Sequence, residues 1–533
     1  MTTGPDDGWR RLDPRTVLAA AVLALGGCLA AGVPVLLGQR GRDTFPFTVG
    51  LVGTGVVLLV VAATIVEYVR LARTRFRVGP ERVELHTGVL VRARQGLTRD
   101  RVRTVEVSAD PVLRVLGLAT VRIGTGQHAS TTGRPLELRA LRRPEAEALR
   151  HDLLERTRVG VLSGTPVGNA PEAPIPRDAT LAVLDPGWIR FAPLSAVTPA
   201  LGVAAFGSLL QGSDWLGLQQ TVLDDTAALA LALGAVISLV VGLVVVAVAG
   251  TVASLAVFVE SWWGYRLTRE SRTGALHVRR GLFTRRSTTL EEDRLRGVTV
   301  VESAVARLVG AARVDAVATG LSHGKRQRSD PRALLPVAPA AVVDRVVAEV
   351  LQEPAAPTTQ VDLLAHPRTA RTRRVRRASA VCLVPAVVTA ALALAGADGL
   401  WFTAAVLAVL GLGAGVGLGR LAYRNLGHGV VGRYVVTRHG VPGRRTVALR
   451  RDGILTWTLT RTPFQRRAGL VTLWFTTAAG DGAYGVYDLG VEQAMALAAE
   501  TLGEQFTPYL DDARTAAAPE RSSVAQKGGS AVA

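Results

Sequence analysis

The chain has 533 residues, of which 48% are hydrophobic, and its mean hydropathy of +0.28 is too high for an ordinary soluble protein. Its net charge of +19 comes almost entirely from arginine, since Lys325 and Lys527 are the only lysines. A soluble chain of this charge would suggest a nucleic-acid partner, but in a membrane protein the same excess reflects the basic bias of cytoplasmic loops.

Six apolar runs are predicted to cross a membrane as three pairs joined by short connections. The first, 16–38, contains no charged residue and as a helix would be about 34 Å long, enough for a ~30 Å hydrocarbon core. The others are 45–66, 191–210, 226–258, 379–397 and 399–419. None has an ionisable residue in its middle, which disfavours a transporter, because transporters use such groups to bind ions or relay protons.

Arginine placement predicts which ends of the spans face the cytoplasm. Arginines lie before the first span and after the second, and the run PRTARTRRVRR (367–377) comes just before the fifth. The connection 211–225 holds three aspartates and no basic residue, so it is predicted to face outward. Both termini are therefore expected in the cytoplasm.

The run GLGAGVGLG (411–419) contains a GxGxxG pattern, but it follows no strand and lies inside an apolar helix. Gly411, Gly415 and Gly419 recur at every fourth residue. This spacing predicts a flat helix face for close packing against another helix.

A 30-residue pattern, GVLVRARQGLTRDRVRTVEVSADPVLRVLG at 88–117, recurs at 281–310 and 440–469, once after each pair of spans. Alternation of apolar and polar residues around it predicts short antiparallel strands. Each copy is followed by a predicted helix, at 142–157, 338–352 and 491–506. Six positions are identical in all three copies: Gly88, Gly281 and Gly440; Arg92, Arg285 and Arg444; Leu97, Leu290 and Leu449; Asp100, Asp293 and Asp452; Arg114, Arg307 and Arg466; Gly117, Gly310 and Gly469.

The stretch TGVLVR...RDRVRTVEVSADPVLRVLGLATVRIGTG and its counterparts at 281–320 and 440–477 resemble bacterial membrane proteins with pleckstrin-homology-like (PH-like) domains, of the YdbS/YdbT type. The resemblance implies a multi-pass protein of the bacterial plasma membrane with no cofactor and no catalysis. Some members of that family are linked to tolerance of antimicrobial compounds, and a role in envelope stress is an expectation from the same source.

The expected fold is an α+β membrane protein with six transmembrane helices in three hairpins, each followed by a PH-like small β-barrel with a C-terminal helix. The predicted boundaries are 1–69 for the N-terminal segment and first hairpin, 70–158 for the first PH-like domain, 159–190 for a linker, 191–260 for the second hairpin, 261–352 for the second domain, 353–378 for a basic linker, 379–420 for the third hairpin, 421–510 for the third domain and 511–533 for a disordered tail.

The repeated arginines are the candidate binding residues for anionic lipid or a protein partner, because guanidinium groups match phosphate oxygens. They are Arg92, Arg94, Arg285, Arg286, Arg444 and Arg445. The alternative is an exposed strand face whose arginines keep the module soluble.

The other repeated residues are given structural roles. Asp100, Asp293 and Asp452 are expected to accept hydrogen bonds in a turn or to pair with arginine, rather than to act in catalysis. Arg114, Arg307 and Arg466 precede a glycine that supplies a backbone conformation unfavourable to other residues. Cys28 and Cys382 lie in apolar runs without a CxxC context, and the histidines lack metal-binding spacing, so neither a disulfide scaffold nor a metal site is expected.

The leading hypothesis is a non-enzymatic membrane platform with three cytoplasmic PH-like domains, for protein assembly or for an anionic lipid surface. Its expected partners are the bilayer itself, anionic headgroups, another membrane protein or a second copy of the chain. The alternative is a component of a membrane transporter or exporter. Nucleic-acid binding is disfavoured because the chain lacks the stacking aromatics of single-strand binders.

Overall fold

The computed structural model describes residues 9–38, 45–79, 82–87, 93–98, 104–124, 136–149, 152, 178–195, 197–215, 219–271, 273–319, 331–396 and 398–502. The tail predicted at 511–533 and most of the first predicted linker lie outside these ranges. The chain divides into two compact units: the first comprises Met1–Leu295, Val305–Arg313 and Ala318–Ala340, and the second comprises Arg296–Ala304, Val314–Val317 and Ala341–Ala533.

The first pair of helices is held at its base by a β-ladder. Strand β1 (Trp9–Arg11) precedes helices α1 (Arg15–Gly38) and α2 (Phe45–Arg73), and strand β2 (Arg75–Val78) follows them. β1 pairs antiparallel with β2, with Arg10 opposite Phe76. The entrance and the exit of this helical pair therefore lie side by side in one sheet.

The first module contains two groups of strands and two short helices. Its elements are β3 (Arg82–Thr87), β4 (Ala93–Thr98), β5 (Thr104–Ala109), α3 (Pro111–Val115), β6 (Leu118–Gly124), β7 (Leu136–Arg142) and α4 over 143–149. One sheet has the order β1-β2-β3-β4, and β5, β6 and β7 are neighbours in a second sheet. Alternate apolar residues of both sheets form the core, including the fully buried Val83, Val105, Val121, Ile123 and Leu138.

The second pair of helices differs from the two uninterrupted spans that the sequence predicts. Strand β8 (Ala179–Val183), placed in a linker by the sequence, is followed by a 3₁₀ helix, Pro186–Leu194, and by α5 (Thr198–Trp215), with an 82° bend between the two helices. The long helix α6 (Gln219–Trp262) is interrupted at Gly234, whose φ of 75° is not helical. Its uninterrupted segment Val240–Trp262 is long and apolar enough to span a membrane.

The second module repeats the arrangement of the first. Its elements are β9 (Arg266–Arg269), β10 (Leu276–Arg280), β11 (Arg285–Leu290), β12 (Leu295–Glu302), α7 (Ala304–Leu308), β13 (Ala311–Ala318), β14 (Ala333–Pro339) and α8 (Ala340–Leu351). β8 pairs with β9, as β1 pairs with β2. The buried residues of α8 recur at helical spacing on one face: Val343, Val346, Val347, Val350 and Leu351.

The third helical pair includes the arginine-rich run that the sequence places in a linker. The short helix α9 (Pro357–Gln360) precedes the pair, which consists of α10 (Arg368–Cys382), α11 (Val384–Leu394) and α12 (Trp401–Arg424). The stretch Arg368–Leu394, which includes α10 and α11, is long and apolar enough to be one span. The basic run forms the first turns of this stretch. By length and composition, five described helical segments could cross a membrane, or six if the bent pair at Pro186–Ser213 is one span.

The third module has the same order of elements: β15 (Gly427–Val431), β16 (Tyr434–His439), β17 (Arg444–Arg450), β18 (Thr456–Thr460), α13 (Pro463–Arg467), β19 (Leu470–Thr476), β20 (Ala483–Gly490) and α14 (Val491–Leu502). β18, β19 and β20 form a three-stranded sheet. Leu364, which precedes the third helical pair, forms an isolated bridge with His428 in β15. The chain on either side of the pair is thus joined in this repeat also.

The modules are joined edge to edge rather than closed into separate barrels. In the first unit, β5 of the first module pairs with β11 of the second, which gives a seven-stranded sheet in the order β7-β6-β5-β11-β10-β9-β8. In the second unit, β12 pairs with β17. In a closed barrel, the outer edges of β5 and β12 would pair with strands of their own modules. Here each of these edges pairs with a strand of the next module in the chain.

The predicted glycine face is confirmed in the second unit. A Cβ atom on Gly411, Gly415 or Gly419 of α12 would lie 2.5, 2.4 or 2.4 Å from backbone atoms of Cys382, Ser379 or Val375 in α10. The two helices therefore approach closely enough that only glycine fits at these positions.

A buried histidine pair lies beside the base of the third helical pair. Nδ1 of His428 is 3.1 Å from Nε2 of His366, and Nδ1 of His366 is 3.3 Å from the backbone oxygen of Asp488. Asp488 also accepts hydrogen bonds from Arg373 (2.6 Å) and Arg374 (3.0 Å) of α10, which ties the module to the start of that span. Burial, with a smaller contribution from His366, lowers the pKa of His428 to about 4.

We expect Gly415→Leu to destabilise the protein, because the new side chain meets the backbone of α10. Overpacking of this kind costs about 1–3 kcal/mol or more. Thermal unfolding in a neutral detergent would show a lowered midpoint. Gly413→Leu is the matched control, because a Cβ at Gly413 meets nothing within 4 Å. Equal midpoints for the two variants would contradict the packing role.

We expect stability to fall as the pH decreases from about 6.5 to about 4. In this range the unfolded chain protonates His428, whose ordinary pKa is near 6.5, while the folded protein keeps it neutral. The cost is about 1.4 kcal/mol per pH unit for one histidine. Below pH 6.5 the unfolding midpoint should therefore fall more steeply with decreasing pH in the parent protein than in His428→Gln. Above pH 7.5 the midpoints of the two proteins should change with pH in the same way. Equal slopes below pH 6.5 would contradict this role for His428.

Candidate functional site

The turn between β10 and β11 lies against the end of helix α6. The backbone nitrogens of Gly281 and Leu282 donate to the carbonyl oxygens of Trp263 and Glu260, both at 2.9 Å. Gly281 has a φ of +110°, and a Cβ there would lie 2.0 Å from the carbonyl oxygen of Thr284. Glycine is therefore required to hold this turn at the end of the span.

The third module shows the same turn. Gly440 has a φ of +111°, and its carbonyl oxygen accepts a hydrogen bond of 2.8 Å from the side chain of Asn425, just past α12. Two of the three repeated glycines thus fix a hairpin turn next to the end of a helical pair. The corresponding Gly88 lies outside the described residues.

The second repeated glycine follows a short helix in each module. Gly117, Gly310 and Gly469 have φ values of +71°, +63° and +66°. The backbone nitrogen of each donates to the carbonyl oxygen of the arginine three residues earlier, at 3.1–3.3 Å: Arg114, Arg307 and Arg466. In the first module the side chain of Arg114 also donates to the carbonyl oxygen of Leu282, at 2.9 Å.

An arginine-lined cavity of about 630 Å³ opens where the first and second modules join within the first unit. It lies between the end of the first module, with α3 and α4, and strands β9–β11 of the second. We call it the arginine cavity. Glu147 is the one carboxylate among the described residues that line it, and the lining arginines are Arg114, Arg143, Arg266, Arg279, Arg280, Arg285 and Arg286.

The positive charges of the arginine cavity repel one another. The pKa of Arg285 is lowered, chiefly by the charge of Arg114, then by partial burial and by the charges of Arg143 and Arg279. Arg143 pairs with Glu147 at 3.2 Å. A bound anion would relieve this repulsion, and the planar guanidinium groups suit phosphate oxygens in particular.

Two aromatic side chains connect the cavity to the end of α6. The guanidinium group of the buried Arg280 lies 4.4 Å from the ring centre of Trp262, the last residue of that helix. Trp263, which is 55% exposed, lines the cavity. The cavity is therefore fixed at the end of a segment long and apolar enough to span a membrane.

The six arginines predicted as binding residues have different positions. Arg285 and Arg286 line the arginine cavity. Arg444 instead forms a two-pronged ion pair with Glu302, with N–O distances of 2.5 and 2.6 Å, and Arg445 is exposed on β17. Arg92 and the side chain of Arg94 lie outside the described residues.

The two described repeated aspartates occupy equivalent positions, since Asp293 and Asp452 each lie in the middle of a three-residue 3₁₀ helix, Glu292–Arg294 and Arg451–Gly453. Asp452 accepts a hydrogen bond of 2.6 Å from Arg450 and lies 3.9 Å from Arg296. Asp100 is outside the described residues. No group of three or more His, Cys, Asp or Glu side chains in the described part of the chain could hold a metal ion.

Sequence reasoning missed most of the arginine cavity. Arg143, Arg266, Arg279 and Arg280 come from elements outside the repeated identities, and the positions aligned with Arg279 and Arg280 are His86 and Thr87 in the first copy. The cavity forms because two modules meet, so comparison of single copies gives no signal for it.

The second unit has a basic groove of its own, of about 660 Å³. It lies at the base of the third helical pair, where Gly417 and Leu421 of α12 leave room beside arginine side chains. The arginines that line it are Arg371, Arg420 and Arg424. Clustered arginines at the end of a helical pair thus occur in both units.

Comparison with known families agrees with the threefold repeat. The model of the Bacterial PH domain matches the chain three times, over residues 21–157, 226–353 and 379–505. Each match begins within a helical pair and extends through the module after it. No curated protein and no solved structure matches the chain. The matches cover well over half of the sequence and confirm the resemblance seen in the repeated pattern, so the chain belongs to the bacterial PH domain family.

Proposed function

We propose that this protein is a non-enzymatic platform of the bacterial plasma membrane whose PH modules bind the phosphate groups of anionic lipid headgroups. The observation behind this proposal is the arginine cavity, which joins seven arginines and one carboxylate at the end of α6. The bilayer offers phosphate groups at that level, and each basic residue near an anionic surface contributes about 1 kcal/mol of attraction.

The β-pairing at the base of each helical pair supports a location of all three modules on one side of the membrane. β1 pairs with β2, β8 pairs with β9, and Leu364 bridges to His428, so each pair enters and leaves at one place. The basic residues cluster at these ends, including Arg70, Arg73 and the run 367–377, which favours the cytoplasmic side.

The connections from helix to module are short, which supports contact between the modules and the bilayer surface. One residue separates α2 from β2, three separate α6 from β9, and two separate α12 from β15. In the second module, the turn that contacts the end of α6 also presents Phe283, which is 58% exposed. An aromatic residue flanked by arginines suits the interface between headgroups and acyl chains.

The size and chemistry of the arginine cavity fit a lipid headgroup. Ligand pockets usually enclose about 300–1,000 Å³, and this one encloses about 630 Å³. The basic groove at the base of the third helical pair supports a lipid rather than a soluble phosphate compound, because it too lies where a span would end. Bacterial PH domains are generally non-catalytic, in agreement with a binding role.

We expect the full-length protein in neutral detergent to be stabilised by dioctanoyl phosphatidylglycerol more than by dioctanoyl phosphatidylcholine. Arg279→Gln combined with Arg285→Gln should weaken phosphatidylglycerol binding about 30-fold, at about 1 kcal/mol for each arginine. The measurement is the unfolding midpoint as a function of lipid concentration. The effect should diminish with added salt.

Arg445→Gln is the matched control, because Arg445 is aligned with Arg286 but is exposed on β17. It should leave lipid binding unchanged. Equal stabilisation by the two lipids, or by inorganic phosphate at the same concentration, would overturn the lipid assignment. An unchanged affinity in the double variant would remove the arginine cavity as the site.

A further inference from the structure

We infer that the outer edge of β18 in one copy of the chain pairs with the outer edge of β4 in a second copy, so that the protein assembles head to tail. The occupant of each edge is thus a second copy of this chain. The inference goes beyond the proposed function, since it needs no lipid. It follows from the way the modules join within one chain.

The two joints between modules use the same strands in the same register. In the first, Arg285 of β11 lies opposite Ala109 of β5. In the second, Arg444 of β17 lies opposite Glu302 of β12. The repeat alignment equates Arg285 with Arg444 and Ala109 with Glu302. The same strand pairing is therefore repeated in both joints, although the residues that face each other differ between them.

β18 is the counterpart of β5 and β12 in the third module. Both of those strands have a strand of the next module on their outer edge. Among the described strands, β18 has β19 as its neighbour on one side and is the edge of its sheet on the other. The last module of the chain thus presents the half of the joint that a following module would cover.

β4 is the counterpart of β11 and β17 in the first module. In the part of the chain that the structure describes, it ends the four-stranded sheet β1-β2-β3-β4. It therefore presents the other half of the joint. β18 corresponds to the strand that the earlier module contributes to each joint, and β4 corresponds to the strand that the later module contributes. The third module of one copy can therefore pair with the first module of another copy in the way that the first and second modules pair within one chain.

The sequence of β18 lacks the features that protect a strand edge. Soluble edge strands usually carry charges, proline or a bulge that prevent further pairing. The strand reads TWTLT, with no charge and no proline, and threonine, tryptophan and leucine in alternation suit pairing in a sheet. Its edge is therefore ready to accept another strand.

The repeat alignment fixes the register of the proposed pair. In the two existing joints, Glu106 lies opposite Thr288 and Thr299 lies opposite Val447. The aligned residues of β18 and β4 are Thr458 and Gln95. Thr458 of one copy should therefore lie opposite Gln95 of the next.

This contact is heterologous, because each copy contributes a different edge. When such a contact is repeated from copy to copy, it produces a closed ring or an open chain of copies. It does not produce a symmetric dimer, in which both copies would contribute the same edge. The helical pairs confine all copies to one membrane, so the modules of neighbouring copies meet at the same height above it.

The experiment is cross-linking between two differently tagged full-length proteins expressed together. Both carry Cys28→Ser and Cys382→Ser; one also carries Thr458→Cys and the other Gln95→Cys. Directly opposed residues of paired strands have Cβ atoms about 4.5–5.5 Å apart, close enough for a disulfide after small adjustment. We expect a disulfide-linked species that contains both tags. With both cysteines on one chain, a ladder of higher multimers should form.

The matched control replaces Thr458→Cys by Leu455→Cys, three residues out of register at an exposed position. It should give little mixed product. Equal yields from the two pairs would overturn the inference, as would the absence of mixed product with Thr458→Cys. A disulfide formed only within single chains would place β4 and β18 together in one molecule and would also overturn it.

A second variant changes a charge at the proposed joint and leaves the two cysteine positions unchanged. Arg461 aligns with Glu302, which forms the ion pair with Arg444 in the second joint. The sequence around β4 contains Arg92 and Arg94, so Arg461→Glu should replace repulsion with attraction and increase the mixed product about fivefold. A decrease, in protein with an unchanged unfolding midpoint, would contradict the proposed register.

Discussion

β-Pairing across the base of each helical pair determines where the modules lie relative to the helix ends. In each repeat, a short segment that precedes the helical pair is hydrogen-bonded to the first strand after it. β1 pairs with β2, β8 pairs with β9, and Leu364 bridges to His428. Two ends that are hydrogen-bonded together cannot lie on opposite sides of a hydrocarbon layer. The same pairing anchors the modules next to the helix ends, where the arginine cavity forms.

A second consequence follows from the strand edges. In the first and second modules, the outer edge of the first strand of the second sheet has no partner within its own module. A strand of the next module pairs with that edge: β11 pairs with β5, and β17 pairs with β12. The modules are therefore not interchangeable independent domains. The seven-stranded sheet requires two modules, and the arginine cavity requires the same two. A fragment cut at a module boundary would lose one side of the cavity and expose a strand edge.

The sequence predicted the elements that depend on local pattern and missed those that depend on contacts between repeats. Paired apolar runs, alternating strands and the glycines of the turns each produce a periodic signal within one copy. The separate barrels were expected because a sheet tends to close on itself, and nothing in one copy shows that its edge pairs with another copy. For the same reason Arg285 and Arg286 were identified, while Arg143, Arg266 and Arg279 were not. Two arginines of the basic run at 367–377 donate hydrogen bonds to Asp488, a contact across more than a hundred residues that no local pattern indicates.

The divergence of the three copies can be explained by the same joints. Glu302 and Arg444 form an ion pair in one joint, whereas the aligned residues of the other are Ala109 and Arg285. Where the partner is neutral, Arg285 is left to face Arg114, Arg143 and Arg279, and its pKa is lowered by them. An arginine that serves stability in one joint is thus available for an anion in the other. The strand opposite this repeated residue, and not its own module, decides which charge it meets.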